Sequence, residues 1–165
     1  MNCQDRLYRR ANPEAMPDRI VVASDHAGFP LKEKVKAHLE RRGLAVEDLG
    51  THTPDSVDYP AFGHRLAEEV ASGRFPRAVA VCGTGIGISI AVNRHRGVRA
   101  AVAWDETSAR LSREHNDANV LALGSRTLDH GAALRILDVW LDTAFEGGRH
   151  ARRVEQIDTG STGSR

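Results

Sequence analysis

Cysteine is scarce in this 165-residue chain, which has only Cys3 and Cys82. Two thiols make no disulfide framework, and a reducing cytoplasm is the expected home. No apolar run is long enough to cross a bilayer, and the first residues lack the apolar core of a secretory signal. Neither sign of charge dominates: 23 Lys and Arg stand against 22 Asp and Glu, a formal net charge of +1. That excludes a general electrostatic role on nucleic acid or membranes, and leaves only a local cluster of basic groups to hold an anion. The spacings Cys-x-x-Cys, His-x-His and His-x-x-x-His are missing despite eight histidines, so no metal and no cofactor are expected. Gly-Lys-Ser/Thr is missing too, which excludes the phosphate loop of nucleoside triphosphatases. No segment repeats.

What is present is an alternation of two hydrophobic periods. Residues 1–18 are polar and read as a flexible arm, with Met16 as a second candidate start. Residues 19–157 read as one domain, and 158–165 as a flexible Gly/Ser/Thr-rich tail. Strands are predicted at 20–23, 45–49, 77–82, 98–103 and 120–123. Helices are predicted at 31–42, 61–73, 86–94, 107–114 and 129–143, with a short one through Val154 and Ile157. In the first, Leu31, Val35 and Leu39 share the apolar face, while Lys32, Glu33, Lys36 and Glu40 face solvent. His38, on the polar side, reads as solvated, and His64, His95 and His130 have equally bland readings. Strands alternating with helices imply right-handed crossovers. The expected fold is α/β, a Rossmann-like three-layer α/β/α sandwich with a parallel sheet of about five strands.

Ligands of such sheets sit outside the carboxyl ends of the strands. The loops after strands 1, 3, 4 and 5 should therefore converge, bringing together Asp25, His26, Cys82 to Gly87, Asp105 and Arg126. The sharpest signal is Cys82-Gly83-Thr84-Gly85-Ile86-Gly87-Ile88-Ser89. A strand that breaks into glycines and opens a helix presents unpaired N–H groups to an anion. A cysteine ending a buried strand is most often a small core residue; beside these donors it is also a candidate base or nucleophile. Gly83-x-Gly85-x-x-Ile88 approaches a dinucleotide fingerprint, with Asp105 as the ribose acid. It lacks the third glycine, however, and comes after the third strand rather than the first. His115, in His115-Asn116-Asp117, is assigned to a loop on the same catalytic edge. Arg149 and Arg153, four apart, can face one anion or form a solvated basic face.

Taken together, Asp25-His26-Ala27-Gly28, Asp58-Tyr59-Pro60, the Cys82 motif, Arg113-Glu114-His115-Asn116-Asp117-Ala118-Asn119-Val120-Leu121, Gly124-Ser125-Arg126 and Glu146-Gly147-Gly148-Arg149-His150 with Arg153 resemble the type B ribose-5-phosphate isomerase family. That family includes the galactose-6-phosphate isomerase subunits. The resemblance implies a metal-independent aldose–ketose phosphate isomerase of pentose phosphate metabolism. In that reading His115 opens the furanose ring and Cys82 moves the proton. Thr84 and the backbone N–H groups of Gly83, Gly85, Ile86 and Gly87 hold the enediolate. Asp25 and Asn116 bind sugar hydroxyls, and Tyr59 lines the pocket. His26, Arg126, Arg149 and Arg153 take the phosphate. A homodimer or dimer of dimers is implied, with each site shared across the interface. Four- and six-carbon substrates, a non-catalytic sugar-phosphate sensor and dinucleotide binding stay open as alternatives.

Overall fold

β-branched and small apolar residues build the centre of the molecule, and the computed structural model describes residues 18–160. Arg19–Ser24 (β1), Ala45–Asp48 (β2), Arg77–Cys82 (β3), Ala100–Val102 (β4) and Val120–Gly124 (β5) form one sheet. Every pairing is parallel and the strand order is β2-β1-β3-β5-β4. The helices are Phe29–Arg41 (α1), Tyr59–Ala71 (α2), Ile86–Val92 (α3), Glu106–Asn116 (α4), His130–Asp142 (α5) and Arg149–Thr159 (α6).

Side chains alternate along a strand, so each strand feeds two cores. Val79 and Val81 of β3 pack with Leu31, Leu39, Ile136 and Trp140 under α1 and α5. Ala78, Ala80 and Cys82 pack with Leu66, Val70, Ile88 and Val92 under α2 and α3. The result is the expected three-layer α/β/α sandwich. α1 and α2 leave on opposite faces because the strand order reverses around β1. That reversal opens a crevice beyond the carboxyl ends of β1 and β3, where ligands of such sheets bind. Asp25 and Cys82 stand at its two sides.

Several elements differ from the sequence reading, each for a local reason. β4 is only three residues long, because the amide of Asn93 brackets Ala100: its Nδ2 donates to the Ala100 carbonyl at 2.9 Å and its Oδ1 accepts from the Ala100 N–H at 2.8 Å. This side chain occupies the open edge that a strand neighbour would fill. α4 runs on through His115 and Asn116, and ends where Asp117 turns left-handed at φ 45°. Lys32 is fully buried, contrary to the amphipathic reading. Its ammonium donates to both Asp48 carboxylate oxygens, at 2.9 and 2.7 Å, and to the Thr51 carbonyl at 2.8 Å, the pairing a buried charge requires. His38 is likewise engaged, with Nε2 2.7 Å from Asp138 of α5, and His64 pairs with His95 at 2.8 Å. α6 continues to Thr159, held by an Arg99–Asp158 ion pair of 2.8 Å, so residues 158 and 159, expected in the tail, are helical. The arm expected at 1–17 and the tail at 161–165 lie outside the described residues.

Gly28 shows how tightly the first loop must approach the sheet. A Cβ there would lie 2.6 Å from the Val81 carbonyl oxygen. Gly28→Ala should therefore lower stability by about 1–3 kcal/mol, the usual cost of overpacking. Urea denaturation of the two proteins measures this, and equal midpoints would contradict it.

Candidate active site

The loops after β1, β3 and β5 meet at the carboxyl edge, as the fold requires. The Asp25 N–H donates to the Val81 carbonyl at 3.3 Å, and the Ser125 and Arg126 N–H groups donate to the Cys82 and Gly83 carbonyls, each at 2.9 Å. Ser125 Oγ crosses to the Ala27 carbonyl at 2.7 Å. These bonds fasten three loops into one rigid floor. Asp25 is buried, and its Oδ1 accepts from Gly28 N–H at 2.8 Å. His26 Nδ1 lies 3.2 Å from both the N–H and the carbonyl of Val57, which leaves Nε2 for a ligand. Lys32 supports this arrangement by anchoring Thr51, at the start of the loop that carries Val57.

Cys82 sits at the centre of this floor as a free, buried thiol. The Gly85 N–H donates to its Sγ at 3.2 Å. Gly85 has φ +78° and serves as the N-cap of α3, a backbone geometry that glycine adopts without strain. Exposed Thr84 accepts from Ile86 N–H through Oγ1 at 3.3 Å. Tyr59, the first residue of α2, lies over Gly87 so closely that a Cβ there would meet the ring at 2.7 Å. The Arg126 guanidinium covers Gly83, 3.4 Å from where its Cβ would stand. Asp25, His26, Tyr59, Cys82, Gly83, Thr84, Gly85, Ile86, Gly87 and Arg126 thus share one edge. Asp105 lies on the same edge but beyond the outer strand β4, two strands from Cys82. It caps α4, where Ser108 N–H donates to it at 2.6 Å and holds its carboxyl below the usual carboxylate range. The ribose acid of the dinucleotide alternative is therefore engaged elsewhere.

His115 and Asn116 are also absent from this edge, which corrects the expectation of a common catalytic loop. α4 starts beyond β4 and runs back against the strands to the start of β5, so its last turn lies at the opposite, amino edge. Val120 opens β5 beside Ala78, and Cys82 is four residues further up β3, about 13 Å along the strand. Arg99 fixes the end of α4, donating from Nε to the Asn116 and Asp117 carbonyls at 3.2 and 3.1 Å. His115 stacks on His150 with ring centroids 4.3 Å apart and planes within 7°. His150 is the single buried residue of α6. Desolvation, then the charges of His115 and Arg149, push its pKa down, against the pull of Glu146. Arg149 and Arg153 stand exposed one turn apart on α6. A cavity of about 670 Å³ borders Asn116 on this side, between residues 93–101 and 157–160. The sequence reading quoted His150 within a motif but gave it no role, although the spacing Glu146-x-x-x-His150 was a signal that could have drawn attention to it.

Two clusters of the expected residues therefore lie at opposite edges of one sheet: a thiol with N–H donors, and an imidazole with guanidinium groups. The sequence model of the Ribose/Galactose Isomerase family matches residues 20–157. The chain belongs to that family. As a ribose/galactose isomerase relative it is 48% identical over 139 residues to ribose-5-phosphate isomerase B of Escherichia coli (strain K12), covering 84% of this chain and 93% of that protein. The solved ribose-5-phosphate isomerase B of Clostridium thermocellum is 52% identical and superposes with a TM-score of 0.84, over 86% of this chain and 95% of the other. The Mycoplasma genitalium ribose-5-phosphate isomerase B, solved with bound ribulose-5-phosphate, is 39% identical with a TM-score of 0.85, over 88% and 97%. Family membership makes the chain an enzyme of the aldose–ketose isomerase type, and among the described residues no helix is long and apolar enough to cross a membrane.

Proposed function

We propose that this isomerase interconverts ribose 5-phosphate and ribulose 5-phosphate without metal or cofactor, in a homodimer or dimer of dimers whose sites each combine two chains. The observation that carries the reading is the separation of Cys82 and His115 to opposite edges of one sheet. A second copy, related by two-fold symmetry, brings the amino edge of one chain to the carboxyl edge of the other, twice. Apolar side chains of α3 and of the turn after β4 are exposed as such an interface needs: Ile86, Ile90 and Trp104 are 56%, 54% and 69% exposed.

In this site His115 exchanges a proton with the ring oxygen and opens the furanose. The Cys82 thiolate then takes the proton from C2 of the open aldose. The electron pair left behind forms the cis-enediolate, whose negative oxygen meets Thr84 and the N–H groups of the glycine turn: Gly83 and Gly87 directly, and Gly85 and Ile86 on release from Cys82 Sγ and Thr84 Oγ1, where they donate in the free chain. One such donor is worth about 3 kcal/mol in the barrier. The O2 hydroxyl proton passes to O1 as the C2 carbonyl forms, and Cys82 returns its own proton to C1, which gives the ketose. Arg126 and His26 from one chain, with Arg149 and Arg153 from the other, hold the phosphate; the planar guanidinium fork suits its oxygens. Asp25 and Asn116 bind hydroxyls and Tyr59 closes the pocket. A cytoplasmic place in pentose phosphate metabolism suits this reaction and the free thiol.

A coupled assay across four- to six-carbon aldose phosphates, scored by kcat/KM, tests the substrate. The five-carbon sugar should lead, and a four- or six-carbon preference would overturn the assignment. His115→Ala should slow turnover of cyclic ribose 5-phosphate by about 10²–10⁴-fold, the range for a lost acid–base group. A substrate held open-chain should be nearly spared. Equal losses on both would remove the ring-opening role.

A further inference from the structure

Sequence spacing gave no metal motif, yet the fold gathers one. His115, Glu146 and His150 each offer a ligand atom, and these atoms all lie within 4.8 Å of one another. They come from three places: the last turn of α4, the loop before α6, and the first turn of α6. The loop is fixed to α4 by the Glu146 N–H, which donates to the Glu114 carbonyl at 3.1 Å. His150 Nε2 and a Glu146 carboxylate oxygen are 3.6 Å apart. Ligands about 2.0–2.2 Å from a tetrahedral zinc ion stand at roughly that spacing. The remaining closure falls to the exposed Glu146 side chain and to a tilt of the two stacked rings.

From this cluster we infer a divalent transition-metal site, one per chain, that takes Zn²⁺ on His115, Glu146 and His150 and switches the enzyme off. Two imidazoles and a carboxylate suit zinc better than the hard cations Mg²⁺ or Ca²⁺, which prefer oxygen ligands. Three protein ligands leave the fourth position to water, so the ion is held without a closed cage. Arg149 Nε donates to His150 Nε2 at 3.5 Å. Its positive charge opposes a dication and keeps affinity far below that of a structural zinc site. The inhibition rests on the proposed role of His115, because an imidazole bound to zinc cannot exchange a proton with the ring oxygen. The binding itself does not depend on that role.

Calorimetric titration of the chelator-treated full chain with Zn²⁺, and with Co²⁺ followed by visible absorption, tests the site. One ion should bind per chain, with a tetrahedral Co²⁺ spectrum. Glu146→Gln should weaken binding at least tenfold, since loss of even an outer partner of a metal ligand costs about 10–100-fold. His150→Gln should abolish the spectrum, while a Cys3→Ala/Cys82→Ala variant should bind as the parent does. In parallel, Zn²⁺ should inhibit the parent reversibly, and Glu146→Gln should resist it. Unchanged affinity in Glu146→Gln, or binding lost only with the cysteines, would overturn the site. Binding that leaves turnover intact would overturn the inhibition and, with it, the role given to His115.

Discussion

Cys82→Ala is expected to lower kcat/KM for ribose 5-phosphate by about 10²–10⁴-fold, the contribution of a positioned general base, while a five-carbon aldonate phosphate still binds. The expectation rests on the proposed role of the thiol as the base that carries the proton between two carbons. That thiol is buried at the end of β3, where water does not compete, and the Gly85 N–H holds its sulfur. Asp25 is tied to Gly28, and the neighbouring side chains of β3 on the same face are Ala78 and Ala80. The substitution removes one sulfur atom and leaves the loop bonds from Ser125 and Arg126 to the Cys82 and Gly83 carbonyls untouched. The fold should survive it, with a stability loss on the order of 1 kcal/mol. Binding should survive too, because the groups that hold phosphate and hydroxyls remain. Calorimetry with the aldonate phosphate, run beside the coupled assay, separates the two effects. Turnover within tenfold of the parent would dismiss the thiol as the base. Loss of aldonate binding together with turnover would make Cys82 structural.

The carboxyl-edge half of the site was legible from residue types and their order, for a simple reason. The strands that lead to Asp25, Cys82 and Gly124 are central and buried, so their apolar runs are continuous, and a parallel sheet must present the loops beyond them on one edge. The glycines of the turn are explicit: Gly85 with its positive φ admits little else, and Gly87 lets the Tyr59 ring lie close over the turn. The other half was harder to place. The sequence 113–117 reads as polar, and nothing local says that Asp117 will turn left-handed and leave His115 in a helix. That outcome depends on Arg113, which bonds the Asp117 carboxylate at 2.9 Å and the Ala118 carbonyl at 2.7 Å. It depends also on Arg99, which reaches the Asp117 carbonyl from just before β4. Lys32 was misjudged for a related reason. A lysine among Glu33, Lys34 and Lys36 looks solvated until Asp48 and Thr51, brought by the next strand, close over it. Side-chain bonds of arginine and lysine to carboxylates and carbonyls, which leave no periodicity, account for each of these differences.

Mixing Cys82→Ala subunits with His115→Ala subunits should restore activity that neither protein has by itself. The expectation comes from where the two residues lie. A proton-moving thiol and a ring-opening imidazole must both touch one five-carbon sugar, yet β3 separates their levels by about 13 Å and the sheet lies between them. No side-chain rotation closes that gap, because α4 is fixed at its end by Arg99 and Arg113, and Cys82 is fixed within the sheet. A two-fold dimer of the single variants carries the same lesion in both sites. A mixed dimer collects both lesions in one site and leaves the other with a native Cys82 and a native His115. Random re-association makes half of the dimers mixed, with one intact site in two, so about a quarter of parental activity should return. The two variants would be unfolded together, refolded and assayed, with native mass spectrometry counting the mixed species. As a control, a Cys82→Ala/His115→Ala double variant mixed with either single variant should recover nothing, since no arrangement of those chains yields an intact site. If mixed dimers form and stay inactive, each site must be built within one chain, and the sharing proposed here would be wrong. If the quarter returns, the opposite placement of the two residues acquires its chemical meaning: neither edge of one sheet can hold the sugar, and the reaction exists only where two sheets meet.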